Sequence, residues 1–230
     1  AFAFSGGTCL IANGRDLKLR APMPIKIATW NINSVRLRMP IVERFVNVTK
    51  PDVICLQETK CRDSEFPRSH FEKLGYPHLA INGQKGYHGV CIASRIPFKS
   101  IDRKEFCGKG DARHIAVTFS GGSVPSDLSL HNFYIPAGGD EPDVTINDKF
   151  AHKLQFLDEM ELWLKEARVA AKHALLVGDL NIAPLEIDAG HAQVLRSRMT
   201  MAMPAITSAV PASRLAVIGS PFTSRCVRRV

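Results

Sequence analysis

Asp52-Val53-Ile54-Cys55-Leu56-Gln57-Glu58-Thr59-Lys60 is a short apolar run that closes on an amide, a carboxylate and a cation. An uninterrupted apolar segment of this length reads as a strand buried on both faces, the habit of sheets covered by helices. Two other stretches share the plan: Ile25 to Trp30 leads into Asn31-Ile32-Asn33, and Leu175-Leu176-Val177 leads into Gly178-Asp179-Leu180-Asn181. In α/β folds such strand ends are where ligands sit and chemistry is done. Asn31, Glu58, Asp179 and Asn181 are hard oxygen donors of the kind that Mg²⁺ and a reacting phosphate require. The three strand ends together therefore predict metal-dependent phosphodiester hydrolysis.

The rest of the chain supports layers of helix and sheet. A helix is expected over about 36–48, with Leu37, Ile41, Val42 and Phe45 on one face, and a short one over Glu65 to Leu74. A long helix is expected from Ile146 to about Ala171, where Ile146, Phe150, Leu154, Leu157, Glu161 and Leu164 trace one stripe. Strand-like runs at 78–82, 89–94, 113–119 and 128–135 are separated by Gly and Pro. Helices mixed with short apolar strands predict an α/β layered sandwich.

Composition sets the bounds. The 230 residues are 45% apolar and 23% charged, the balance of a soluble globular protein. No stretch approaches the roughly 18 consecutive apolar residues of a membrane span, and Ala1 to Leu10 lacks the basic flank of a secretory signal. A cytoplasmic monomer with no membrane partner is expected. Cys9, Cys55, Cys61, Cys91, Cys107 and Cys226 form no C-x-x-C pair, and reduced thiols are expected rather than disulfides or zinc. The net charge of +8 is unevenly placed: residues 189–230 hold six Arg, no Lys and none of the 22 acidic residues. Basicity alone is thus weak support for a nucleic-acid partner. The chain divides into residues 1–22, an extension without clear period; 23–188, an α/β domain beginning near Met23-Pro24; and 189–230, a basic tail expected to be disordered or aberrant.

Each candidate residue has a plainer role to set against its chemical one. Glu58 alone is a turn carboxylate, but after a buried strand and two residues before Lys60 it sits where a cation and a metal can meet one phosphate. Asp179 alone is a cap. With Asn181 two residues on, both turn to one side if the backbone stays extended, the acid to orient water and the amide to steady charge. Tyr134 at a strand end is packing or catalysis. Gly83-Gln84-Lys85-Gly86-Tyr87-His88-Gly89 is a hairpin connection or a loop tracking a phosphate backbone through Gln84, Lys85, Tyr87 and His88. Arg113 is an exposed strand-start charge or a phosphate contact.

Taken together the motifs resemble the exodeoxyribonuclease III family of class II abasic-site endonucleases, within the endonuclease/exonuclease/phosphatase superfamily. The strings are Ala28 to Asn33, Pro51 to Lys60, the 83–90 loop, Tyr134 and Gly178 to Ile182, in the family's order, and they run from Met23 to about Asp188. The resemblance implies that Asn31 and Glu58, with Asp179 and Asn181, belong to a Mg²⁺ site that also takes Mn²⁺. It implies that Tyr134 contacts the scissile phosphate while Asp179 and Asn181 handle water and the transition state. Lys60, Gln84, Lys85, Tyr87, His88 and Arg113 would face the DNA. Double-stranded DNA with abasic sites or 3′ ends is the implied substrate, cut 5′ to the lesion or degraded from 3′ to 5′.

The tail departs from that pattern. The family's Asn-x-Gly-x-Arg-x-Asp, aromatic-rich strand and final Ser-Asp-His strings do not follow Asp188, where the chain has no Asp and a single His, His191. In the family the Asp-His pair is catalytic and the later strands complete the second sheet. The expectation is a sandwich incomplete at its C-terminal side and an impaired site. A phosphodiesterase of the same superfamily acting on a phosphoinositide or sphingolipid, and a non-catalytic DNA-binding remnant, stand as the other two readings.

Overall fold

The computed structural model describes residues 25–121, 124, 128–170, 173–182 and 215–218, with the backbone alone at 167–170, 173 and 215–218. The described strands are Ile25–Asn31 (β1), Val53–Gln57 (β2), His78–Asn82 (β3), Val90–Ser94 (β4), Phe98–Asp102 (β5), His114–Phe119 (β6), Leu128–Tyr134 (β7), His173–Asp179 (β8) and Leu215–Ile218 (β9). The helices are Val35–Thr49 (α1), Arg68–Lys73 (α2) and Asp148–Ala170 (α3). One sheet has the order β3-β4-β2-β1-β9 and the other β5-β6-β7-β8. In the first sheet β1 runs parallel to β2, with Asn31 opposite Gln57. In the second β7 runs parallel to β8, with Tyr134 opposite Asp179. Parallel neighbours end at the same edge, so Asn31 and Glu58 leave the first sheet within one register step of each other, and Tyr134 and Asp179 leave the second as register partners.

The layers follow from alternation along the strands. Ile25, Ile27, Val53, Cys55, Val90 and Ile92 of the first sheet pack on Ile115, Val117, Phe119, Leu128, Leu130 and Val177 of the second. The opposite face of the first sheet, with Ile54, Leu56 and Cys91, buries Val35, Met39, Val42 and Val46 of α1 and Phe71 of α2. The opposite face of the second sheet carries Phe133 against Phe156, Leu157, Met160 and Leu164 of α3. The order is helix, sheet, sheet, helix, an α/β layered sandwich as expected.

Several details differ from the sequence expectation. The α1 stripe Leu37, Ile41, Phe45 faces outward at its start, with Leu37 78% exposed, and the inward stripe is Val35, Met39, Val42, Val46. Both stripes have helical spacing, and only Val42 belongs fully to both readings. Ile146 precedes α3 and is exposed, whereas Phe150, Leu157 and Leu164 are buried as expected. Pro67 splits the 65–74 segment into a 3₁₀ turn, Asp63–Glu65, and α2. The edge strand β5 is new, because four of its five residues are exposed and give no apolar run. Tail residues Leu215–Ile218 form β9, parallel to β1, although the tail has no strand period. Four apolar residues are too few to show one, and the open side of β1 supplies the backbone partners. Residues 1–22 and the remainder of the tail lie outside the described residues, as do Cys9 and Cys226. Cys55, Cys61, Cys91 and Cys107 are free thiols. No described helix is long and apolar enough to cross a membrane.

Under α3 lies a directed chain of imidazoles. The Lys104 N–H donates to His114 Nδ1 (3.1 Å), which leaves His114 Nε2–H to donate to His131 Nδ1 (3.2 Å) and His131 Nε2–H to donate to Ser129 Oγ (2.8 Å). Both rings are buried and stacked beside Trp163. Burial, with the neighbouring imidazole, pushes His114 down to about 3, and burial pushes His131 down to about 4. The unfolded chain therefore takes up protons below about pH 6.5 that the folded chain refuses, so stability present above that pH is lost as pH falls towards 4. Urea unfolding should show a loss of about 1–2 kcal/mol per imidazole between pH 7 and pH 5. A midpoint that stays flat over that interval, or a loss undiminished in His131→Phe, would sink this account.

Candidate active site

The strand ends meet through one amide. Asn31 Nδ2 donates to Glu58 Oε1 and to Asp179 Oδ2, both at 2.8 Å, joining β1 to the residue after β2 and to the last residue of β8. Asn31 Oδ1 accepts from the Asn33 N–H at 3.1 Å, which fixes the amide's orientation. Lys60 Nζ lies 2.9 Å from Glu58 Oε2 and donates to Asn33 Oδ1 at 2.6 Å. Tyr134 comes in from the facing sheet and hydrogen-bonds Glu58.

These contacts decide the charge states. Partial burial pushes the Glu58 carboxyl up, but hydrogen bonds from Asn31, Lys60 and Tyr134 and the charge of Lys60 outweigh it, leaving the carboxyl below its usual range. Burial, then the Glu58 charge, push the Tyr134 phenol up to about 12. Glu58 is thus an anion and Tyr134 a protonated donor throughout the neutral range.

A second cluster holds Tyr134 in place. Arg113 Nε donates to Asp111 Oδ2 (3.0 Å), its Nη1 to the Tyr134 carbonyl (3.2 Å), and its guanidinium lies 4.9 Å from the centre of the Tyr134 ring. His88 Nε2 sits 3.6 Å from Asp111 Oδ1, and its ring centre is 5.9 Å from that of Tyr134. Burial raises the Asp111 carboxyl, and the Arg113 hydrogen bond with the His88 and Arg113 charges outweighs this and holds it low. Burial and the Arg113 charge hold His88 below its ordinary value.

The backbone bends sharply around the site. Asn33, Glu58, Lys60, His88 and Asn181 all have φ between 45° and 53°, a left-handed conformation that costs a non-glycine residue about 1–2 kcal/mol. Such strain persists where surrounding contacts overdetermine it, commonly at functional sites.

The expected residues divide accordingly. Asn31, Glu58, Lys60, Tyr134 and Asp179 come together. Asn181 arrives by another route than the extended one expected: its backbone is left-handed, its N–H turns back to Asp179 Oδ1 (3.3 Å), and its Nδ2 donates to the Ile135 carbonyl (2.8 Å). In the 83–89 loop Lys85 and Tyr87 are exposed, while Gln84 accepts from the Ala112 N–H (3.0 Å) and His88 faces Asp111. Arg113 is not an exposed strand-start charge: it is 7% exposed, with Nε on Asp111, Nη1 on the Tyr134 carbonyl and Nη2 3.5 Å from His88 Nε2. The sequence reading does not single out Asp111, which a tight turn, with the Arg113 N–H donating to the Asp111 carbonyl (2.9 Å), brings beside Arg113.

Residues 28–227 match the endonuclease/exonuclease/phosphatase family. The chain belongs to that family. The match passes beyond Asp188 and takes in β9, so it reaches further along the chain than the motif resemblance does. Among curated relatives, exodeoxyribonuclease III of Haemophilus influenzae is 32% identical over 174 residues, covering 76% of this chain and 64% of the relative. An AP endonuclease structure from Archaeoglobus fulgidus superposes with a TM-score of 0.61 at 32% identity, over 72% of this chain and 60% of the other. A 3′ phosphatase from Neisseria bound to a product DNA hairpin gives 0.60 at 30% identity, over 70% and 59%. The chain thus spans less than two thirds of the length of these relatives, and within that span it shares their fold.

Proposed function

We propose that this chain carries the site of a divalent-metal-dependent DNA phosphodiesterase, directed at duplex DNA with abasic sites or 3′ ends. The observation that carries the reading is the gathering of Glu58 and Asp179 on the single Asn31 amide, beside Tyr134. Two carboxylates drawn to one neutral donor suit a cation in its place, and the donor set is all oxygen, which fits Mg²⁺ or Mn²⁺. Asn31, Glu58 and Asp179, with Asn181 beside them, would hold it. When bound, such an ion polarises a phosphoryl oxygen and acidifies water.

The protein groups divide the remaining work. Asp179 orients the attacking water and accepts its proton. Tyr134 donates to a phosphate oxygen, since burial and the Glu58 charge push its phenol up to about 12 and keep it protonated in the neutral range. Lys60 places a positive charge at the same edge, and exposed Lys85 and Tyr87 offer a cation and a stacking face to a strand passing over the loop.

The test is single-turnover cleavage of a duplex holding one abasic analogue, with enzyme in excess. The expected product is one cut 5′ to the lesion, lost with chelator and slowed at least about a hundredfold by Asp179→Asn. Hydrolysis of a soluble inositol phosphate in preference to DNA would transfer the site to another substrate. No cut, with equal and steeply salt-dependent affinity for intact and abasic duplex, would leave a DNA-binding remnant.

A further inference from the structure

We propose that Lys153 is a positioning residue for the catalytic edge, its ammonium setting the backbone that presents Asn181. Lys153 lies in the second turn of α3 and is 5% exposed. Its Nζ donates to the Asn181 carbonyl (2.8 Å) and to the Ala137 carbonyl (3.0 Å). These two carbonyls belong to the segments leaving β8 and β7, just past Asp179 and Tyr134. One ammonium therefore ties together the two loops on which the second sheet's contribution to the site rests.

The surroundings are shaped for it. Gly138 (φ +90°) passes so close that a Cβ there would lie 2.7 Å from Lys153 Cδ. Asn147 binds the same loop from the start of α3, with Nδ2 donating to the Gly138 carbonyl (2.9 Å) while Oδ1 accepts the Lys149 N–H (3.0 Å). Packing does not explain the choice of side chain. A methionine would fill the same space without a charge to desolvate, and burial of an ammonium is costly. What a methionine cannot do is hold two carbonyls. Asn181 has a left-handed backbone, which asparagine adopts more readily than other non-glycine residues, and its carbonyl is one of the two so held.

Asn181's part in the chemistry rests on the nuclease reading, but its placement by Lys153 does not, and the experiment separates them. In ¹⁵N-labelled protein, Lys153→Met should move the backbone and side-chain amide signals of Asn181, and Lys153→Arg, which keeps a cationic donor, should restore them. Gly138→Ala, pressing on the lysine stem from the other side, should move the same signals. Single-turnover cleavage should fall about tenfold or more in Lys153→Met, as small misplacements do, with affinity for abasic duplex unchanged because the buried ammonium cannot reach DNA. Unmoved Asn181 signals in a folded Lys153→Met overturn the proposal. So does failure of both lysine variants to fold, since the ammonium then holds the fold and not the site. Absence of cleavage by the unaltered protein would sink the nuclease reading and leave the amide result standing.

Discussion

Under matched Mg²⁺ and substrate, the 230-residue chain is expected to cut an abasic duplex about a thousandfold or more slowly than exodeoxyribonuclease III of Haemophilus influenzae. The described site supplies two carboxylates, an amide and a phenol, all on one edge of the sandwich. It does not supply the Asp-His pair that the family resemblance implies, since residues 189–230 contain no Asp and only His191. His88 belongs to the cluster around Tyr134, and His152 lies close enough to Asp111 and Arg113 to feel their charges. His88 is engaged with Asp111, and burial holds both below their ordinary values, so neither is a ready acid. Groups that act as a unit lose most of their joint effect when one is removed, and the remainder comes from binding and charge stabilisation. Binding of the abasic duplex should survive, because Lys60, Lys85 and Tyr87 are present. The measurement is the ratio of single-turnover rates with DNA affinity determined alongside. A rate within about tenfold of the relative would mean that some other group in this chain replaces the pair, and impairment would be abandoned.

How much of this was legible depends on whether a residue's place follows from its own segment. β2, buried at all five positions, could be read from Asp52 to Lys60 as an unbroken apolar run with a polar stop, and β1 and β8 close on polar ends in the same way. The α1 face could not, since Leu37-Ile41-Phe45 and Val35-Met39-Val42-Val46 both have helical spacing, and the packing of α1 on Trp30 and Leu56 chooses between them. β5 and β9 were hidden for opposite reasons, one exposed and the other four residues long. At the site, side-chain chemistry singled out Asn31, Glu58, Asp179 and Asn181, and the family resemblance added Tyr134, whereas their partners followed from neither. Arg113 reads as a free cation until the turn at 111–113 brings Asp111 alongside, and Lys153 reads as one more surface lysine of an amphipathic helix. Its burial comes from loops more than a dozen residues away on either side, which no local pattern records.

Gly178→Ala is expected to cost more than about 4 kcal/mol, beyond the range of ordinary substitutions. Gly178 sits in β8 one residue before Asp179, directly opposite Phe133 of β7. A Cβ on Gly178 would lie 2.0 Å from the Phe133 carbonyl oxygen and 2.8 Å from its carbonyl carbon, and the φ of +137° is itself unfavourable to any L side chain. The obstacle is backbone, so no side chain can rotate away, and relief requires β8 to part from β7. That would cost the ladder hydrogen bonds, and it would also separate Asp179 from Tyr134, its register partner. Gly75→Ala is the matched control: Gly75 also has a positive φ, +86°, but open space where the Cβ would go. It should cost only the conformational penalty, about 1 kcal/mol. Paired urea unfolding of the two variants measures the difference. If they lose the same amount, the close approach of β7 and β8 at Gly178 is not what places the carboxylate, and the geometry of the site must be held elsewhere.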